Sequence, residues 1–147
     1  MIYSIGYQGF HSAAEFAQAL KSYNVDLLLD VRSRPVSNFK TDFNRLALSS
    51  WLPQYGIFYE WAGDRLGGFR AIRDEALQGL TCLAKNKVIC LMCMEADPDR
   101  CHRKTEISRR LETFGVEVHH LTKSGQLLAD QLKIDKIDAD KIRHNDF

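Results

Sequence analysis

The sequence lacks long hydrophobic runs, and this absence bears on where the protein resides. Its longest apolar stretches, VDLLLDV and VICLMCM, are much shorter than the roughly 20 residues that a membrane-spanning helix needs. The first residues, MIYSIGYQGF, lack the basic region and apolar core of a signal peptide. We therefore expect a cytoplasmic protein that has no membrane partner.

The sequence also has little net charge and few cysteines. It contains 20 Lys and Arg residues against 19 Asp and Glu residues, which makes the formal net charge +1. Proteins that coat nucleic acid non-specifically carry a larger positive excess, so this balance argues against that role while leaving room for a local basic pocket. Four cysteines without an export signal indicate reduced thiols and not a disulfide framework.

What the sequence does have is a regular alternation of strand and helix patterns over 147 residues. Helical patterns separate five candidate strands, which are MIYSIG, VDLLLDV, IFYEW, KVICLMC and VEVHHL. This order predicts an α/β fold, a three-layer sandwich with a mainly parallel sheet of about five strands and helices on both faces. We expect a single domain over residues 1–132 and a charged C-terminal tail over residues 133–147, a solvated helix or a frayed terminus.

Two helices have clear start signals. Ser12 and Glu15 form a capping box ahead of an amphipathic pattern. Asp97 and Pro98 are typical of a helix N-cap and first turn. The second helix should bury one stripe of apolar residues, Ile107, Leu111 and Phe114.

Polar residues follow several of the strands, at the edge where open parallel sheets bind ligands. Arginine matches phosphate or carboxylate in two-point contact, and a helix N-terminus adds free N–H groups. We therefore predict an anion site in which Glu95 orients an arginine and Tyr7 lies nearby. The arginines expected to hold the anion are Arg32, Arg34 and Arg103. The alternative is internal pairing of these arginines with acidic side chains such as Asp30.

The cysteines of CLMCMEADPDRCHR allow several kinds of site. Cys90 and Cys93 should lie on opposite faces of a strand, so they cannot share a metal. Cys93, Cys101 and His102 are a better metal set, but a structural zinc site needs a fourth ligand. We predict no metal and no cofactor.

A cysteine in a first helical turn beside arginines should have a lowered pKa, the condition for nucleophilic chemistry. This makes Cys101 and His102 the candidate catalytic residues. The alternative is that Cys101 only fills a gap under the loop, and whether the protein is an enzyme stays open.

Three segments together resemble a known family. YSIGYQGFHSAAEFAQALKSYNVDLLLDVRSRPVS, YEWAGDRLGG and LMCMEADPDRCHR are similar, in order, to the family called domain of unknown function 488 (DUF 488). Its C-x-E-x-x-P-x-x-C-H-R pattern is matched in full, whereas its usual first-motif histidine is Tyr7 here. The resemblance implies a compact α/β domain in bacterial or archaeal cytoplasm with clustered motif residues, and it implies no activity.

The leading hypothesis is binding of a phosphate-bearing ligand, a nucleotide or a nucleic-acid end, at the carboxyl ends of the strands. The expected partner is thus an anionic small molecule or nucleic acid, and the oligomeric state is open. The first alternative is a metal-binding or thiol-redox module using Cys93, Cys101 and His102. Sulfur transfer is a weaker reading, because the arginine-rich cysteine loop of rhodanese-like domains is missing. The last alternative is a protein-interaction adaptor, in which the arginines have only structural roles.

Overall fold

The described part of the chain alternates between short strands and helices, as the sequence pattern predicts. The computed structural model describes residues 1–69, 71–122 and 127. The strands are β1 (Ile2–Gly6), β2 (Leu27–Asp30), β3 (Phe58–Trp61), β4 (Ile89–Cys93) and β5 (Val118–His120). The helices are α1 (Ala13–Ser22), α2 (Arg45–Trp51), α3 (Gly63–Leu66), α4 (Asp74–Leu83) and α5 (Arg109–Thr113). A π-helical segment, Arg103–Ser108, leads directly into α5.

The strands form one parallel sheet in the order β3-β2-β4-β1-β5. This order places β4 between β1 and β2, although β4 is the fourth strand along the chain. Gly6 is paired with Cys93 and Asp30 with Met92, so these three strands end nearly level. The loops that follow them therefore leave the same edge of the sheet side by side.

Both faces of the sheet are covered by helices, which confirms the predicted three-layer α/β fold. Leu27 and Leu29 pack with Leu77 of α4 and Leu111 of α5, whereas Leu28 belongs to a second cluster with α1 and α2. Every residue of β2 and β4 is buried, as expected for strands covered on both sides.

The alternation of strand faces also separates the two cysteines of β4. Cys90 packs in the cluster beneath α1 and α2, and Cys93 packs in the opposite cluster. This confirms the prediction that the two thiols cannot share a metal. Burial raises the pKa of the Cys90 thiol, which suits a core side chain.

Helix α1 begins as the capping box predicts. The Ser12 Oγ accepts a hydrogen bond from the Glu15 N–H at 3.1 Å. The helix buries Phe16 and Leu20 against the sheet. The start of α1 and its buried face are therefore both as the sequence predicts, because the polar cap and the apolar stripe lie in one short segment.

The helix after β4 starts later than predicted. Asp97 caps only a 3₁₀ turn, Pro98–Arg100. Cys101 then adopts an extended conformation (φ −129°, ψ 140°), and the helical run begins at Arg103. The first-turn position expected for Cys101 is thus wrong, because the chain bends once more before it becomes helical.

The predicted apolar stripe of this helix is buried at two of its three residues. Ile107 and Leu111 are fully buried, but Phe114 is 39% exposed. Phe114 follows the last residue of α5, where the chain turns into Gly115 at φ 78°. The ring therefore leaves the helix face that packs on the sheet.

The C-terminal predictions fall largely outside the described residues. Leu127 forms an isolated antiparallel bridge with Leu121. The boundary near residue 132 and the charged tail, 133–147, lie outside the described part, so the single domain over 1–132 stays a prediction. No helix in residues 1–69 and 71–122 is long and apolar enough to cross a membrane.

Gly6 provides a test of how closely the β1 end approaches the loop after β4. A Cβ at this position would overlap the Glu95 carbonyl group and lie 2.8 Å from the Ala96 Cα. Because these are backbone atoms, we expect Gly6→Ala to lower the free energy of unfolding by about 3 kcal/mol. Urea unfolding monitored by circular dichroism measures this change.

The matched control is Gly79→Ala. Gly79 lies in α4, and an added Cβ meets no atom within 4 Å. Alanine should therefore leave stability unchanged or raise it by up to about 1 kcal/mol through helix propensity. Equal stability of the two variants would show that the close approach at Gly6 does not constrain the fold.

Candidate functional site

A cavity of about 490 Å³ opens at the carboxyl ends of β1, β2 and β4. Six of the seven predicted site residues line it, namely Tyr7, Arg32, Arg34, Glu95, Cys101 and His102. The structure thus brings together residues that lie up to 95 positions apart in the sequence. We call this the strand-end pocket. What these residues bind or react with stays a prediction.

Arg32 is buried in the wall of the strand-end pocket by a two-point contact with Asp30. Its Nε donates to Oδ1 at 2.9 Å and its Nη2 to Oδ2 at 2.8 Å, and Nη2 also donates to the Phe43 carbonyl at 2.7 Å. The Tyr59 hydroxyl donates to the same carboxylate at 2.5 Å. Internal pairing, the alternative weighed from the sequence, is therefore present at Arg32. It leaves Nη1 buried without a hydrogen-bond partner among the described residues.

Tyr7 presents a second buried polar atom that lacks a partner. Its ring is 1% exposed, stacks on Phe43 with centroids 4.7 Å apart, and lies 5.1 Å below the Arg32 guanidinium carbon. Its Oη has no hydrogen-bond partner among the described residues. Buried polar atoms are rarely left unpaired, since desolvation without compensation costs about 1–3 kcal/mol. Two such atoms therefore lie in the wall of one cavity.

The rim of the strand-end pocket combines exposed arginines with exposed apolar side chains. Arg34 makes no side-chain hydrogen bond or ion pair with any described residue, and Arg100 has only a distant contact, 3.9 Å, with Asp97. Three large apolar side chains are also solvent-exposed at the rim, Val36, Phe69 and Met94.

Arg103, the seventh predicted site residue, lies behind the pocket wall with none of its surface exposed. Its Nη1 donates to the Cys93 sulfur at 2.9 Å and to the Glu95 carbonyl at 2.7 Å, while Nη2 donates to the Ala96 carbonyl at 3.3 Å. Every guanidinium nitrogen is therefore committed to the protein, since Nε donates to Ser4 at 3.1 Å. This geometry assigns Arg103 to holding the loop and not to an anion.

Glu95 contacts arginine through its backbone and not through its carboxylate. The carbonyl oxygen accepts from Arg103, whereas the carboxylate Oε1 accepts from the Asp97 N–H at 3.1 Å. The predicted orienting role of the Glu95 side chain is therefore replaced by one of the backbone. The side chain instead shapes the turn that leads to Cys101.

A buried polar chain continues from Arg103 to β5. The Ser4 Oγ accepts from Arg103 and contacts the His120 Nδ1. Burial, with the charges of Arg103 and Lys104, lowers the pKa of His120 to about 4, so this imidazole is neutral near pH 7. The contact between the Ser4 hydroxyl and the His120 Nδ1 completes the chain.

Cys101 has several hydrogen-bond donors around its sulfur. The His102 Nδ1 lies 3.7 Å from Sγ, and the Cys93 thiol and the Arg103 backbone N–H also favour the charged form of Cys101. These donors, the Cys93 thiol first, outweigh burial and lower the pKa of Cys101 to about 4. The same contact raises the pKa of Cys93, which keeps its proton. Cys101 is thus a thiolate at neutral pH.

His102 is oriented by two carbonyl groups on its far side. Its Nε2 lies 3.1 Å from the Val31 oxygen and 2.9 Å from the Leu66 oxygen. Carbonyls only accept, so Nε2 carries hydrogen and Nδ1 is the atom that exchanges a proton with Cys101. Burial lowers the pKa of His102, but the Cys101 charge and these carbonyls outweigh it and raise the pKa. Cys101 and His102 thus each favour the charged form of the other.

The glycines of the LGG segment allow this packing. A Cβ at Gly68 would lie 3.3 Å from the His102 Cγ, and one at Gly67 would overlap the Gly63 carbonyl oxygen and the Ser33 hydroxyl. The segment therefore has no room for side chains beside the imidazole. The structure places this segment against His102.

The described residues contain no group of three or more His, Cys, Asp or Glu side chains that could hold a metal ion. Cys93, Cys101 and His102 are neighbours, but they contact one another as hydrogen-bond donors and acceptors. Since the His102 Nε2 already faces two carbonyls, it has no lone pair for a metal. The metal-binding alternative therefore finds no support in this geometry.

A comparison with protein-family models shows that residues 12–77 and 71–106 match the family described as Domain of unknown function DUF488. The chain belongs to the DUF488 family. No curated protein matches it, and no solved structure matches it.

The DUF488 match confirms the resemblance predicted from the motifs. It includes Arg32, Cys101 and His102, and it begins after Tyr7 and ends before His120. The match therefore covers six of the seven predicted site residues, all but Tyr7, and His120 also comes from a flanking segment. The family description assigns no chemistry, so function has to be argued from the geometry of this DUF488 chain.

Sequence reasoning missed two members of the site. Tyr59 supports the Asp30 carboxylate, and His120 ends the polar chain behind Cys93. Tyr59 lies in an edge strand whose pattern signals only half burial. The HH pair in VEVHHL could have been flagged, because a histidine inside a buried strand needs a partner.

The thiolate state of Cys101 predicts an unusual pH profile of alkylation. In a Cys82→Ser background, which removes the exposed thiol, the iodoacetamide rate at Cys101 should be nearly constant from about pH 5 to about pH 8. A free small-molecule thiol should instead react about tenfold faster per pH unit over this range. Mass spectrometry of the Cys101 peptide measures the rate.

Replacing the main donor provides the control. Cys93→Ala should raise the pKa of Cys101 and move its reactivity to higher pH, because the Cys93 hydrogen bond is the largest stabilising contact. A rate that already rises tenfold per pH unit in the Cys82→Ser protein would contradict the thiolate assignment.

Proposed function

We propose that the protein binds a phosphate-bearing ligand, a nucleotide or a nucleic-acid end, in the strand-end pocket. The observation that carries this proposal is a pair of buried polar atoms in the wall of one cavity, Arg32 Nη1 and Tyr7 Oη, for which the described residues offer no hydrogen-bond partner. An anionic oxygen is the natural acceptor for both, since a guanidinium and a phenol can each donate to it.

The charge around the strand-end pocket supports an anion over a neutral ligand. Asp30 neutralises Arg32 at short range, but Arg34 and Arg100 add positive charge at the rim, against one carboxylate, Glu95. Exposed arginines attract and orient a phosphate without a large desolvation cost. The rim therefore offers exposed arginines to an anion, although the whole chain is nearly neutral.

The apolar rim supports a ligand larger than inorganic phosphate. Phe69 is 79% exposed and Met94 51% exposed, next to the arginines of the same cavity. Exposed aromatic and thioether side chains beside a phosphate site suit the flat face of a nucleobase. The rim thus favours a nucleotide or the end of a nucleic-acid strand.

Tyr7→Phe tests this proposal directly. Because the Tyr7 hydroxyl has no protein partner, its removal should leave thermal stability unchanged or slightly raised, yet weaken binding of AMP about tenfold through the loss of one charge-assisted hydrogen bond. Arg34→Ala should also weaken binding. Titration calorimetry with inorganic phosphate, AMP and a 5′-phosphorylated oligonucleotide gives the affinities.

The matched control is Arg73→Ala, an exposed arginine that lines a different cavity between β3 and α4. It should leave all affinities unchanged. Binding that is lost equally in Arg73→Ala and Arg34→Ala would indicate general charge attraction. Absence of binding by any of the three ligands would overturn the proposal.

A thiol-redox module is the second candidate function, and one observation favours it. Cys93 hydrogen-bonds to the Cys101 thiolate, so a resolving thiol lies beside a nucleophilic one. All four cysteines are free, which suits the reducing cytoplasm that we propose as its location. A peroxide would oxidise Cys101 to a sulfenic acid, with one peroxide oxygen leaving as water, and Cys93 would then displace a second water to form a disulfide.

Mass spectrometry after treatment with hydrogen peroxide tests this second function. The intact protein should lose two hydrogen atoms, with a Cys93–Cys101 crosslink that dithiothreitol reverses. Cys93→Ser should lack the crosslink and proceed to the sulfinic acid at Cys101. Formation of the sulfinic acid without any crosslink in the unsubstituted protein would exclude the module.

A further inference from the structure

Cys101 lies where the strand-end pocket meets the start of the helical run after β4. The His102 Nδ1 lies 3.7 Å from its sulfur, while the residue itself is 7% exposed and lines the pocket. A thiol that only fills a gap has no need of such an environment. The sulfur is therefore both activated and in contact with the space proposed for the ligand.

His102 is arranged as a proton donor and not only as a neighbour. The Val31 and Leu66 carbonyls hold Nε2, at 3.1 Å and 2.9 Å, so the ring cannot rotate without losing both contacts. Nδ1 therefore stays on the Cys101 side, and Gly68 packs against the ring there. Because the two carbonyls hold Nε2, the ring atom that can give or take a proton at the pocket is Nδ1.

The anion donors lie in the same cavity as this pair. Arg32 Nη1 and Tyr7 Oη have no hydrogen-bond partner in the described part of the chain, so they can donate to the non-bridging oxygens of a phosphate. Charge builds up on those oxygens during phosphoryl transfer, and fixed donors in a water-poor wall stabilise it. A nucleophile, a proton donor and an anion clamp thus line one pocket.

We propose that Cys101 takes a phosphoryl group from a phosphate monoester bound in the strand-end pocket, with His102 as the acid for the leaving group. The proposal rests on the function argued above, and it adds a reaction to that binding site.

The reaction divides into two displacements. In the first, the Cys101 thiolate attacks phosphorus, an S–P bond forms and the P–O bond to the alcohol breaks. The alcohol oxygen takes the proton from Nδ1 of His102, and the imidazole ring becomes neutral. In the second, water attacks the phosphocysteine, Nδ1 takes one proton from that water, and inorganic phosphate leaves as the thiolate is restored. No oxidant, reductant or metal is required for this balance.

The experiment uses the full chain with p-nitrophenyl phosphate, phenyl phosphate and AMP. We expect release of inorganic phosphate and, after acid quenching, a phosphoryl group on the Cys101 peptide by mass spectrometry of the unsubstituted protein. Cys101→Ser should lower kcat at least about a thousandfold. Cys82→Ser, outside the pocket, should leave the rate unchanged.

Two substrates with different leaving groups distinguish an acid role of His102 from a purely structural role. His102→Asn should lower kcat for phenyl phosphate about a hundredfold, since phenolate leaves poorly without a proton. It should lower kcat much less for p-nitrophenyl phosphate, whose leaving group needs no proton. Equal losses for the two substrates would contradict the acid role. Tyr7→Phe should raise KM for both.

The two proposals fail in different ways. Binding of AMP and phosphate with no phosphate release and no phosphocysteine would overturn the phosphoryl transfer and leave the binding function standing. Absence of binding would overturn the binding function itself. Turnover that persists in a folded Cys101→Ser or Cys101→Ala protein would show that Cys101 is not the nucleophile.

Discussion

The buried guanidinium of Arg103 is the interaction on which the rest of the site depends. It joins Ser4 of β1, the sulfur of Cys93 at the end of β4, and two carbonyls of the loop that follows. A fully buried cation is tolerated only if its donors are satisfied, and here each guanidinium nitrogen has an acceptor. The loop between β4 and the helical run thereby takes one conformation, and that conformation places Cys101 beside Cys93.

Arg32 and Arg103, the two buried arginines in the described part of the chain, have different roles in the structure. Arg103 has no spare nitrogen, so it acts as a crosslink between backbone segments. Arg32 has a partner carboxylate in Asp30 but keeps Nη1 unpaired. The first arrangement stabilises the native loop. The second leaves one Arg32 nitrogen without a hydrogen bond, which a ligand can accept. Arg103 therefore supports the loop, and Arg32 is the arginine proposed to bind the ligand.

The thiolate pair depends on both arrangements. Arg103 donates to the Cys93 sulfur, which leaves the Cys93 proton free to bond to Cys101. The backbone carbonyls after β2 and α3 hold the far side of His102 and favour its charged form. Cys101 therefore loses its proton because of a network that spans three strands, and not because of a neighbouring arginine side chain alone.

Much of the fold could be predicted from the sequence, because its signals are local. Continuous apolar runs marked β2 and β4, the Ser12 capping box marked α1, and alternation separated Cys90 from Cys93. The order of these patterns determined the three-layer α/β class. The gathering of motif residues at one edge also followed, since parallel strands end together.

What only the tertiary structure decided was the partner of each polar group. The sequence could not show that β4 lies between β1 and β2, nor that the helix after Asp97 is delayed to Arg103. It could not distinguish the arginine with a spare donor from the arginine with none, because both need contacts from distant segments. Local patterns depend on backbone periodicity, whereas hydrogen-bond satisfaction depends on which segments the fold brings within about 3 Å of one another.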